Sequence, residues 1–145
     1  VHEQVIDEEI IVKGKSYRMT CVSMGNPHAV VFMDDVEHLA IEEIGPYFEN
    51  HERFPNRTNT EFVQVIDDSH VKMRVWERGT GETLACGTGA CASVVAGILK
   101  GCLNNSVEVE LLGGSVRIDW DGDKVHTGRD VFLTGPAEYV FTAEL

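Results

Sequence analysis

GTGACASVVAGILK, residues 87–100, carries apolar or small side chains on every side of a helical wheel. A helix of that kind has no face for water and must be buried all round. Lys100 and Gly101 supply a cation and a glycine where it should stop. Around it lie short segments of alternating polarity: residues 9–12 and 16–24 about a KGK turn, 29–32 after GNPH, and 60–66 with 70–76 as a hairpin across DDS. In the second arm of that hairpin Val71, Met73 and Val75 share one face, and Lys72, Arg74 and Trp76 share the other, which reads as wet. Further strands are expected at 106–110, 115–119, 124–127, 131–133 and 137–143, with turns at LLGGS, DWDGDK and TGP. Residues 38–50, HLAIEEIGPYFEN, read as a helix interrupted at Gly45-Pro46, where a second short helix can begin. The economical architecture is α+β, a mostly antiparallel sheet curled around one central buried helix.

At 145 residues the chain suits a single domain, residues 1–145, with a real core. A net charge of −12 makes the surface strongly acidic and argues against nucleic acid or an anionic membrane as a partner. No run approaches the roughly 20 apolar residues of a membrane span. The opening VHEQVIDEEI is too acidic for a signal peptide, so a cytoplasmic location is expected. Cys21, Cys86, Cys91 and Cys102 show no CxxC spacing and no paired histidine motif, so they read as free thiols rather than zinc ligands or a disulfide framework. The chain opens on Val1 in mid-pattern, as a piece of a longer protein would.

Within ERGTGETLACGTGACAS, residues 77–93, Cys86 stands just where the buried helix should begin. A thiol there lies at the positive end of a helix dipole, which favours the thiolate. The amides of Gly87, Thr88 and Gly89 have no intrahelical partner and can hold a carboxylate or phosphate. Glu77 and Arg78 bring a carboxylate and a guanidinium into the same loop. An activated sulfur beside an anion cradle suits proton abstraction next to a carboxylate. GTGACA also fits the glycine fingerprint G-x-G-x-x-A, with Glu108 or Glu110 about 20 residues on. Against a dinucleotide site, GTGETLAC is a polar loop where that fingerprint needs a buried strand. Asn26 and His28 in MGNPHAVVF, and Asn59 in PNRTNTEFVQV, each stand before an apolar strand, where singly they are ordinary turn chemistry.

Taken together, MGNPHAVVF, RTNTEFVQV, WERGTGETLACGTGACA and the closing LTGPAEYVF resemble the C-terminal half of the diaminopimelate epimerase family, in the same order and over nearly the whole chain. The resemblance implies an isomerase without pyridoxal phosphate, other cofactor or metal. It would interconvert L,L- and meso-diaminopimelate with two cysteines on opposite faces of the substrate, in lysine and peptidoglycan precursor biosynthesis. Cys86 matches one of that pair. The resemblance further implies that Asn26, Asn59 and Arg78 hold the distal amino-acid end, that Gly87 and Thr88 bind the reacting carboxylate, and that His28 and Glu77 orient or tune the cysteines. The second catalytic cysteine belongs to an N-terminal lobe with no counterpart in these residues, so the implied partners are diaminopimelate and that lobe, with a homodimer of the full enzyme as a further option. Cys21, Cys91 and Cys102 are better explained by packing. A proline racemase-like lobe and a non-catalytic anion- or dinucleotide-binding module stand as the alternatives.

Overall fold

The computed structural model describes the backbone of residues 4–135 and 138–144, and side chains over 4–135 and 141–144. Its strands are β1 (Glu8–Val12), β2 (Lys15–Ser23), β3 (Pro27–Phe32), β4 (Asn59–Asp67), β5 (His70–Glu77), β6 (Gly81–Thr83), β7 (Ser106–Leu111), β8 (Gly114–Asp119), β9 (Asp130–Thr134) and β10 (Glu138–Thr142). The helices are α1 (Ile41–Glu49) and α2 (Gly87–Lys100). One mixed sheet runs in the order β1-β2-β3-β4-β5-β7-β8-β9-β10, with β6 added beside β5. Most pairings are antiparallel, but β3 runs parallel to β4 and β5 to β7.

Parallel neighbours cannot be joined by a tight turn, and each helix supplies one of the crossovers required. α1 joins β3 to β4, and α2 lies between β5 and β7. These crossovers leave from strands that run in opposite directions and step the same way across the sheet. A shared handedness therefore places the two helices on opposite faces. The core divides accordingly. Val30, Val63, Val71, Met73 and Val75 pack with α2, whereas Ala29, Val31 and Phe62 pack with Ile41, Ile44 and Phe48 of α1. Among the described residues no helix is long and apolar enough to cross a membrane.

α2 behaves as its sequence demands. Ten of its residues are buried, and burying side chains such as Val94, Val95 and Leu99 contributes about 1.5–3 kcal/mol each. At its end Gly101 takes the left-handed conformation, φ 89°, and its amide bonds the carbonyls of Gly97 and Ile98.

Four expectations need correction. α1 runs unbroken through Pro46, because the carbonyl that the proline leaves without an amide belongs to Glu42, which is exposed. Residues 124–127 form no strand, since the Asp123 carboxylate collects the amides of Val125 and His126 into a turn. GTGET is not wholly loop, for Gly81–Thr83 folds back on β5 as β6. The second face of β5 is not wet: Arg74 makes a two-pronged pair with Glu82 at 2.7 and 3.0 Å and donates to the carbonyls of Val36 and Leu39. On that face the Trp76 ring lies against Gly45 of α1. Pro136 and Ala137, expected in the last turn and at the start of the last strand, lie outside the described residues.

Candidate active site

Register gathers the candidate residues. The β3/β4 pairing sets His28 opposite Asn59, and the β4/β5 pairing sets Thr60 opposite Trp76, so Glu77 and Arg78 follow beside Asn59. The Asn59 amide fastens this end of the sheet together. Its Nδ2 donates to the Pro27 carbonyl at 2.9 Å, and its Oδ1 accepts the Arg78 amide at 2.7 Å. Among the described residues no partner takes the other N–H of Nδ2, which leaves it for a ligand. The Arg78 guanidinium is tethered to the Asn56 carbonyl at 3.2 Å, and the Glu77 carboxylate accepts a hydrogen bond from the Thr83 hydroxyl.

Cys86 is the N-cap of α2, in extended conformation, and its Sγ accepts the Gly89 amide at 3.3 Å with the Thr88 hydroxyl 3.6 Å away. The Gly89 amide is therefore taken by the sulfur and leaves the expected anion cradle. Among the described residues no hydrogen bond occupies the amides of Gly87 and Thr88. The thiol itself is pushed up, not down as the helix dipole alone suggests. Burial to 9% exposure is the main cause, negative charge on Glu61 or Glu77 adds to it, and the Thr88 hydroxyl and Gly89 amide work the other way. Burial holds the other thiols high too, Cys21 to about 11 and Cys91 to about 12. Alkylation at rising pH is expected to label Cys86 before the fully buried Cys91, which peptide mapping checks; Cys91 labelled first would show that the helix entrance is closed.

Two buried carboxyls went unnoticed in the sequence. Glu61 of β4 is fully buried, with Oε2 2.7 Å from His28 Nδ1. A methyl group placed on Gly89 would stand 2.8 Å from Glu61 Oε2 and 3.1 Å from Cys86 Sγ, so carboxyl and thiol flank the same point. Strand parity was the available signal, since Glu61 shares its face with Val63, whose side chain packs with α2. Glu49, in the last turn of α1, accepts from Trp76 Nε1 at 2.9 Å, the Gly79 amide at 2.8 Å and Arg57 at 2.9 Å. It therefore anchors the turn that carries Arg78. Its spacing of four from Gly45 placed it on the buried stripe of α1.

The sequence profile described as Diaminopimelate epimerase matches residues 20–140. The chain belongs to the diaminopimelate epimerase family. It is 56% identical over 141 residues to the diaminopimelate epimerase of Methanococcus maripaludis, covering 97% of this chain and 50% of that protein. It is 52% identical over 145 residues to that of Nostoc punctiforme, covering 100% of this chain and 50% of that protein. The chain thus spans about half the length of the curated diaminopimelate epimerases it matches. Among solved structures, a phenazine biosynthesis protein of the PhzF family from Enterococcus faecalis aligns with a TM-score of 0.58 at 16% identity, over 82% of this chain and 44% of that one. A Bacillus anthracis member of the PhzF family aligns with a TM-score of 0.53 at 21% identity, over 91% and 40%. At such identities these two show a shared fold and nothing more. Among the described residues no three histidine, cysteine, aspartate or glutamate side chains gather as a metal site.

Proposed function

We propose that this chain is the C-terminal lobe, with its sheet curled around α2, of a cytoplasmic enzyme that interconverts L,L- and meso-diaminopimelate without a cofactor. In that enzyme two cysteines stand on opposite faces of the α-carbon: the thiolate of one takes the α-proton, forming its S–H bond as the Cα–H bond breaks, and the thiol of the other gives its own proton to the far side and is left as the thiolate. Cys86 is one of the two, and the second comes from an N-terminal lobe. The observation that carries this assignment is the placing of Cys86 Sγ at the cap of α2, beside two amides that no hydrogen bond occupies among the described residues. The amides of Gly87 and Thr88 face the charge that develops on the substrate carboxylate as the proton leaves, where fixed donors need no reorganisation. Burial serves the same step, because a thiol with raised proton affinity is, once ionised, the stronger base toward carbon.

Asn26, the remaining N–H of Asn59 and Arg78 hold the distal amino and carboxylate groups of diaminopimelate. His28 and Glu77 act on the cysteines by orientation and charge. A reaction of this kind serves lysine and peptidoglycan precursor synthesis, and the complete enzyme is free to dimerise.

The test is α-deuterium uptake into L,L-diaminopimelate in D₂O, followed by NMR, with this chain alone and then mixed with an N-terminal half. Exchange and epimerisation in the mixture alone are expected. Turnover by the chain alone would overturn the two-lobe division. No exchange in the mixture, with both halves folded and the thiols reduced, would overturn the proposed reaction.

A further inference from the structure

The proton count around His28 is fixed by its neighbours. His28 Nε2 lies 3.1 Å from Asn26 Oδ1, which can only accept, so Nε2 carries a hydrogen and donates it. On the other side of the ring, Nδ1 and Glu61 Oε2 are 2.7 Å apart and both side chains are fully buried. A net charge there is costly, so the two groups share one proton. That proton can sit on the imidazole, giving an ion pair, or on the carboxyl, giving two neutral groups. Glu61 Oε1 decides between them. Among the described residues it is buried with no hydrogen-bond partner, a tolerable state for the carbonyl oxygen of a neutral acid and an expensive one for half of a carboxylate. Among the described residues, the other titratable groups that act on or feel this carboxyl are Glu77, Cys86 and Cys21, none of which brings positive charge to stabilise an anion. Burial pushes Glu61 upward in the same sense.

We propose that Glu61 is a positioning residue: its carboxyl donates to His28 Nδ1, His28 donates from Nε2 to Asn26 Oδ1, and the Asn26 amide is thereby turned with its NH₂ group left to recognise an acceptor such as a substrate carboxylate. This rests on the assignment of Asn26 to substrate binding made above. Among the described residues the Asn26 NH₂ group makes no hydrogen bond, as an end of the amide kept for a ligand requires. The relay has one direction. Were Glu61 ionised beside a neutral imidazole, the carboxylate would draw the ring hydrogen to Nδ1 and leave Nε2 bare; were it replaced by a residue that cannot donate, nothing would hold the hydrogen on Nε2, and the Asn26 amide would lose its reason to face one way.

The ring nitrogens of His28 report the relay directly. In ¹⁵N NMR of the purified, substrate-free protein, with His28→Gln used to assign the signals, Nδ1 is expected to carry a lone pair and Nε2 a hydrogen. Glu61→Gln, whose amide N–H can replace the carboxyl O–H as donor, should keep that tautomer, and Glu61→Ala should lose it. Both nitrogens protonated in the unsubstituted protein, or the hydrogen on Nδ1, would overturn the relay, and this holds even where Glu61→Ala fails to fold. In the complete enzyme KM for diaminopimelate should stay within about twofold in Glu61→Gln and rise about tenfold in Glu61→Ala. A folded Glu61→Ala enzyme with unchanged KM would overturn the link to Asn26. The expected tautomer in a protein that never turns over diaminopimelate would sink the proposed function and leave the proton assignment standing.

Discussion

Cys86→Ser will lower the rate of α-proton exchange in the complete enzyme by about 10³-fold or more, while leaving the lobe as stable as before. The two halves of that expectation separate the roles of one side chain. As an N-cap, Cys86 accepts the Gly89 amide, and a serine hydroxyl does that at least as well, so the melting temperature should hold. As an acid–base group, a hydroxyl has far too high a pKa to exchange a proton with carbon near neutrality. Alanine would confuse the experiment, because losing the cap costs about 1 kcal/mol on its own. Retained exchange in a folded Cys86→Ser enzyme would remove Cys86 from the chemistry.

Gly45→Ala is expected to destabilise the fold, although two principles disagree about its sign. Helix propensity alone favours alanine by about 1 kcal/mol in the interior of α1. Packing opposes it, because a Cβ on Gly45 would lie 2.3 Å from Trp76 Cδ2 and 2.6 Å from Cγ and Cε3. The indole cannot slide away freely, since its Nε1 is bonded to the buried Glu49 carboxylate. Overpacking against a held ring should win, with a net loss of about 3 kcal/mol. Calorimetry or denaturant unfolding reads this directly, and a stabilised variant would show that the ring has room to move. The same substitution should disturb the site. Glu49 also holds the Gly79 amide, so displacing Trp76 shifts the turn that presents Arg78.

What could be read from the sequence follows from how local each signal is. The entrance, burial and exit of α2 were all legible, because an apolar wheel, a capping residue and a Lys-Gly stop need only their own neighbours. The strands were visible by alternation for the same reason. Their partners were not. Nothing in PHAVVF states that it lies parallel to NTEFV, although a helical segment between them is what a parallel crossover needs. Arg74 and Trp76 read as part of a wet face because what covers them, the Glu82 carboxylate and helix α1, comes from elsewhere in the chain. The candidate residues Cys86, Gly87, Thr88, Glu77 and Arg78 could be picked out together because they lie in one short stretch of sequence. Glu61 and Glu49 were missed because a charged residue in a pattern is assigned to water by default, and only the tertiary fold shows His28 and Trp76 waiting for them.

The cap of α2 has a consequence of its own. One sulfur both terminates the helix and holds a titrating proton, so each change in its ionisation alters the hydrogen bond received from Gly89. An ionised sulfur is the stronger acceptor and tightens the first turn; a protonated one slackens it. The Gly89 amide is thus a gauge wired to the sulfur. Its chemical shift and exchange rate display the proton inventory of the pocket without a label, a substrate or a second lobe.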